Sequence, residues 1–179
     1  MLHSPRHHPP HLFIDDKIYF ITCRTANKEK LFNNLEKKTI LKRCVIEAQK
    51  KFNVKIFAWV ILENHYHLLI QLPKGKLLPD FIKIINGRSS FLINKTGSKR
   101  GRKIWYNYWD YCIRSKTDFW KHFNYIHSNP IKHSYVRNAD QLEFYKFSSY
   151  NEWVRKNGRE WLASCFALYP IIDFSLPGD

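Results

Sequence analysis

Apolar positions recur along this chain with two different periods, and the switches between them predict its elements. Lys17 to Arg24 (KIYFITCR) is rich in aromatic and β-branched residues and reads as a strand. Leu35 to Lys51 sets Leu41, Cys44, Val45 and Ala48 at helical spacing with cations on the other side, so a helix is expected. Two apolar runs follow, 54–62 and 65–72, separated by Glu63-Asn64, a two-residue gap that predicts a hairpin. Pro73 and Gly75 end the second run. A helix is expected from Pro79 to about Asn94, since proline is tolerated in a first turn. Lys95 to Lys103 reads as a loop, Ile104 to Arg114 as a strand, and Asp118 to about Asn129 as a helix. Pro130 disfavours helical geometry at Asn129, which sets the expected end of that helix.

The order is β-α-β-β-α-β followed by one more helix. That is the ferredoxin-like pattern of the α+β class: an antiparallel sheet with helices on one face, plus a C-terminal helix. Many unrelated functions use this fold, so function must come from particular residues. At 179 residues the chain is expected to form one domain with a sizeable core.

Charge narrows the partners. Thirty Lys and Arg against 15 Asp and Glu leave a formal charge of +15. That suggests a polyanion, most often nucleic acid, although a generally basic surface without a specific partner would read the same way. An aromatic content of 16% favours unpaired bases over plain duplex, because exposed rings stack on them. No apolar stretch approaches the roughly 20 residues that span a bilayer, the N-terminus lacks the apolar core of a signal peptide, and no membrane partner is expected. Cys23, Cys44, Cys112 and Cys165 form no close pair and read as reduced thiols of a cytosolic protein.

The sharpest chemical signal is His65-Tyr66-His67. On a strand, His65, His67 and Gln71 share one face with Leu69, while Tyr66, Leu68, Ile70 and Leu72 face a core. Two imidazoles so placed form a half-site for a metal ion; from pattern alone they are equally compatible with ordinary sheet residues. The last helix, TDFWKHFNYIHSNPIKH, puts Phe119, Phe123, Ile126 and Pro130 on one face and His122, Tyr125, Asn129 and Lys132 on another. Tyr125 and Asn129, four residues apart, are surface neighbours on such a helix. The pattern alone leaves Tyr125 open as amphipathic filler.

Three runs in order, AWVILENHYHLLIQLP, IWYNYWDYCIR and YIHSNPIKH, followed by KFSSY, resemble the REP-associated tyrosine transposases. These are relatives of the single-tyrosine HUH transposases of small bacterial insertion sequences. The resemblance covers about residues 12–152, leaving 1–11 as a flexible lead-in and 153–179 as a C-terminal extension. It implies that His65 and His67 ligate a divalent metal, Mg²⁺ or Mn²⁺. Asn129 would be the third ligand, where insertion-sequence relatives usually carry glutamine. Tyr125 would be the nucleophile. The implied activity is cleavage and rejoining of single-stranded DNA beside short palindromic hairpins through a 5′-phosphotyrosine link. The implied location is the bacterial cytoplasm, at the nucleoid. A monomer and a homodimer are both compatible with the family, and no protein partner is evident.

The alternative is a catalytically silent module that binds hairpin DNA or RNA on the same fold. For DNA contacts the candidates are Arg88, Lys99, Arg100, Arg102, Lys103, Trp105, Arg114 and Lys132, with Lys83, Lys95, Tyr108 and Trp109 behind them. Where family members commonly carry glycine shortly after the NPxK segment, this chain reads Lys132-His133-Ser134-Tyr135.

Overall fold

The structure is a computed structural model that describes residues 13–97 and 99–174. The lead-in 1–11, with His3, His7, His8 and His11, and the final SLPGD lie outside the described residues. Four strands, β1 (Ile18–Thr25), β2 (Lys55–Ile61), β3 (His65–Gln71) and β4 (Trp105–Cys112), form one antiparallel sheet in the order β2-β3-β1-β4. That is the ferredoxin-like arrangement. The β2–β3 hairpin closes as expected on Glu63-Asn64, with the Leu62 amide donating to the His65 carbonyl at 2.9 Å.

The alternation along each strand separates two cores. Tyr19, Ile21 and Cys23 of β1 and Tyr66, Leu68 and Ile70 of β3 face helices α1 (Leu35–Phe52) and α2 (Leu78–Thr96). Phe20 and Leu69, with Ala58 and Val60 of β2, face the opposite way and pack on α3 (Lys116–Lys132). Asn34 caps α1 by accepting from the Lys37 amide, and Ser115 caps α3 by accepting from the Asp118 amide.

The third helix departs from expectation in two ways. It runs through Pro130 to Lys132 instead of ending at Asn129. Its amphipathic reading also fails, because every residue from His122 to Pro130 is buried. The cause is the C-terminal chain. Helices α4 (Tyr150–Asn157) and α5 (Arg159–Leu168) contribute Tyr150, Trp153, Leu162 and Phe166 to the core on α3's outer side. Packing from both sides offsets the helical hydrogen bond that proline cannot donate. The Asn129 side-chain amide also donates to the Tyr125 carbonyl at 2.8 Å within this segment.

The chain leaves α3 through Ser134, which takes a left-handed φ of 58°. Glycine adopts that conformation without a Cβ clash. Ser134→Gly is therefore expected to stabilise the protein by up to about 1 kcal/mol, seen as a higher urea midpoint at unchanged slope. A lower midpoint would contradict this reading of the turn.

Candidate active site

The α3-facing side of the sheet carries the site. Thr22 on β1 is paired across the strands with His67 on β3, and its hydroxyl lies 2.9 Å from His67 Nδ1. That contact fixes the ring so that Nε2 turns toward α3. At the hairpin, His65 Nδ1 donates to Asn64 Oδ1 at 2.7 Å, which fixes the orientation of that ring. The two imidazole centroids are 4.9 Å apart. Engagement of the second ring nitrogen in this way is how proteins orient metal-binding histidines.

Asn129 approaches from α3. Its amide nitrogen is committed to the Tyr125 carbonyl, which leaves Oδ1 as the outward-facing atom. Asn129 Oδ1 and His67 Nε2 are both shut off from solvent, and neither has a hydrogen-bond partner. Yet the groups are near enough for the Asn129 side chain to oppose the depression of the His67 pKa. Two buried polar atoms cost free energy unless they are joined, either by a proton on His67 Nε2 or by a cation between them. The donor set of imidazole nitrogens and a carboxamide oxygen fits a divalent ion with positions left open for phosphate and water. Among the described residues, no group of three or more His, Cys, Asp or Glu side chains is placed to hold a metal ion, so a site built only from those residue types is not formed.

Tyr125 stands one helical turn before Asn129. It is only 3% exposed, and its ring centroid lies 5.4 Å from that of His67. Lys132 Nζ is 3.5 Å from the Tyr125 hydroxyl and 2.6 Å from Asp173. Phe174 meets the Tyr125 ring edge-on at 5.3 Å and stacks on His122 at 3.8 Å. A small cavity of about 50 Å³ opens onto the group, lined by Arg24, Lys28, Asn64, His65, His67, Tyr125, Lys132 and His133.

Burial holds His67 well below the ordinary histidine value, and the charges of His65, His133 and Lys132 push it the same way. It is therefore neutral at physiological pH. Desolvation lowers the Lys132 pKa, but Asp173 and Tyr125 outweigh that and raise it, so the lysine stays charged beside the phenol.

The structure thus brings together His65, His67, Tyr125, Asn129 and Lys132, and it disperses the other sequence candidates. Arg88 pairs with Glu47 at 2.6 Å on the α1–α2 side, across the sheet from Tyr125. Arg114 covers Tyr111 at 5.4 Å, at the end of the sheet away from His65. Lys99 and Arg100 are exposed in the loop after α2. Arg102 pairs with Glu29 at 2.6 Å, and Lys103 sits over Tyr106.

Trp105 corrects an expectation. It is 6% exposed, stacks on Phe32 at 5.0 Å and donates to Ser89 Oγ, so it belongs to the α1–α2 core and has no face to offer a base. Tyr108 is half-buried and lies on that same side of the sheet, opposite Cys23. Arg24, Lys28, His133 and Thr22 were missed in the sequence. Only strand register, which no short motif encodes, sets Thr22 opposite His67 and Arg24 opposite His65.

Comparison with known proteins gives the family. The family described as "Transposase IS200 like" matches residues 14–129. The chain belongs to that family. Its members are DNA nicking and strand-transfer enzymes. A REP-associated tyrosine transposase of Escherichia coli K12 is 26% identical over 160 residues, covering 89% of this chain and 86% of its own length. The fold is shared with a REP-associated tyrosine transposase solved bound to a REP hairpin, at a TM-score of 0.67 and 23% identity, covering 100% of this chain and 94% of that one. Among the described residues, no helix of this transposase is long and apolar enough to cross a membrane.

The buried histidines make stability depend on pH. His67 and His122 are held below the usual value by burial, and burial lowers His127 to about 3. His67 and His127 stay neutral in the fold but protonate when unfolded below about pH 6.5, and His122 shifts in the same direction. Stability is therefore complete above that pH and is lost as pH falls, by about 1.4 kcal/mol per pH unit for each histidine that stays neutral. Urea midpoints should drop between pH 7 and pH 5; equal midpoints would contradict the burial of these rings as neutral groups.

Proposed function

We propose that this transposase is of the REP-associated type: a divalent-metal-dependent nuclease and strand transferase acting on single-stranded DNA beside palindromic hairpins. The observation that carries the reading is the burial of two polar atoms without a hydrogen-bond partner, His67 Nε2 and Asn129 Oδ1, beside the ring of Tyr125. His65, His67 and Asn129 would hold the ion, Mg²⁺ or Mn²⁺, and the imidazole donors favour Mn²⁺. When bound, such an ion polarises the phosphodiester and stabilises the charge that develops on its oxygens.

Tyr125 Oη would attack phosphorus. A P–O(tyrosine) bond forms as the P–O3′ bond breaks, the phenolic proton passes to solvent, and the leaving 3′-oxygen takes a proton from water. The products are a 5′-phosphotyrosine and a free 3′-hydroxyl. A DNA 3′-hydroxyl reverses the step without ATP, because the phosphodiester energy is retained. Lys132 holds a positive charge near the phenol oxygen and would favour its anion. Positions 121 and 129 are Lys and Asn, so no second tyrosine lies one turn away and a single nucleophile is expected.

The REP hairpin bound by the solved relative and the net charge of +15 support hairpin DNA as the partner. We place the catalytic unit at 12–152, with 153–179 as a C-terminal extension that includes α5, and the enzyme at the bacterial nucleoid in the cytoplasm.

The test incubates purified protein with labelled single-stranded hairpin oligonucleotides from the DNA flanking its gene, with Mn²⁺, Mg²⁺ or EDTA, on a denaturing gel. A covalent protein–DNA band that needs metal and vanishes in Tyr125→Phe is expected. Hairpin binding without adduct under either metal would instead establish the silent binding module. Separately, Mn²⁺ is expected to raise the melting temperature of the DNA-free protein, as any native-state ligand does. His67→Ala and Asn129→Ala should each abolish that rise; an undiminished rise in both variants would remove the metal assignment.

A further inference from the structure

The edge strand β4 pairs regularly with β1 through Cys23 opposite Tyr108, then slips so that Thr25 faces Trp105. Arg24 is thus set against two residues, Tyr106 and Asn107, which is a β-bulge. The bulge has a geometric consequence. In a regular strand, residues three apart point to opposite faces. The extra residue cancels that alternation and brings Tyr106 and Trp109 together, with ring centroids 6.1 Å apart and planes tilted by 33°. Trp109 is paired with Thr22, which places it on the His67 side of the sheet.

Arg24 joins this pair to the active site. Its guanidinium lies 5.8 Å from the Tyr106 centroid and 5.3 Å from the Trp109 centroid, and the same residue lines the cavity at His65, His67 and Tyr125. Lys103 lies 5.3 Å from the Tyr106 centroid. Tyr106 is 43% exposed although it is a large ring at a sheet edge. Paired aromatic rings with cations alongside, continuous with a site that handles a phosphodiester, match single-stranded nucleic acid: the rings stack on bases and the cations follow the backbone.

We propose that Tyr106 and Trp109 form a stacking platform for the unpaired nucleotides next to the scissile phosphate, with Arg24 holding the phosphate between platform and Tyr125. This deepens the function proposed above by naming where the cut strand lies. The bulge is the device that builds the platform, and specificity for unpaired over paired DNA follows, because a duplex base has both faces already stacked.

The test uses Tyr125→Phe protein in EDTA, so that neither cleavage nor metal enters the readout. The probe is a hairpin with a single-stranded foot carrying 2-aminopurine, compared with the same hairpin made blunt. Quenching of 2-aminopurine is expected with the footed hairpin. Tyr106→Ala and Trp109→Ala should each weaken its binding on the order of ten-fold and relieve the quenching, while Trp109→Phe retains both and blunt-hairpin binding is unchanged. Footed-hairpin binding by Tyr106→Ala as tight as the parent's, or an equal loss on the blunt hairpin, would overturn the platform. Tyr106 is exposed, so its alanine variant keeps the core intact. Adduct formation by the protein with Tyr125 present is scored separately. Adducts without a platform effect remove only the platform, and a platform effect without adducts removes only the strand-transfer reading.

Discussion

His67 Nε2 and Asn129 Oδ1 are driven into the same buried space, and neither atom has a hydrogen-bond partner there. Each is held there by a second contact: Thr22 engages the other nitrogen of His67, and the Tyr125 carbonyl takes the amide protons of Asn129. A protein interior rarely keeps such a pair without a counter-charge. Burial and the surrounding charges keep His67 neutral, so its Nε2 can serve the proposed metal ion as a donor. The proposed nucleophile needs no separate placement, because the residue whose carbonyl orients Asn129 is Tyr125 itself.

Holding this arrangement requires a rigid tyrosine helix, and α3 is gripped on both sides. The sheet supplies Phe20, Ala58, Val60 and Leu69, and the C-terminal helices supply Tyr150, Trp153 and Leu162. Polar ties add register. His127 meets Ser149 Oγ at 2.7 Å, Ser149 in turn accepts from the Trp59 amide, and Asn124 donates to the Cys165 and Tyr169 carbonyls. The segment 147–149 also bonds to the outer edge of β2. The C-terminal chain is therefore structural support for the catalytic helix as well as a tail.

Strand period, helical spacing and the Glu63-Asn64 turn were enough to draw the sheet and its three principal helices. His65, His67, Tyr125 and Asn129 were legible because they lie on two short motifs whose order resembles a known family. The failures share a cause. Pro130 misled because a local steric rule takes no account of packing, and the apparent polar face of α3 misled because that reading assumed solvent on one side, whereas residues distant in sequence cover it. Trp105 misled because alternation fails at a bulge: the slip turns Trp105 into the core and Tyr106 outward. Thr22 and Arg24 carry no local signature, since their meaning depends on the β1–β3 register.

The most direct measurement is anomalous diffraction from DNA-free crystals grown with Mn²⁺. The account predicts one manganese peak bounded by His65 Nε2, His67 Nε2 and Asn129 Oδ1, with an open coordination position facing the Tyr125 hydroxyl. A manganese peak elsewhere, or His67 and Asn129 joined by a proton with no metal between them, would contradict it.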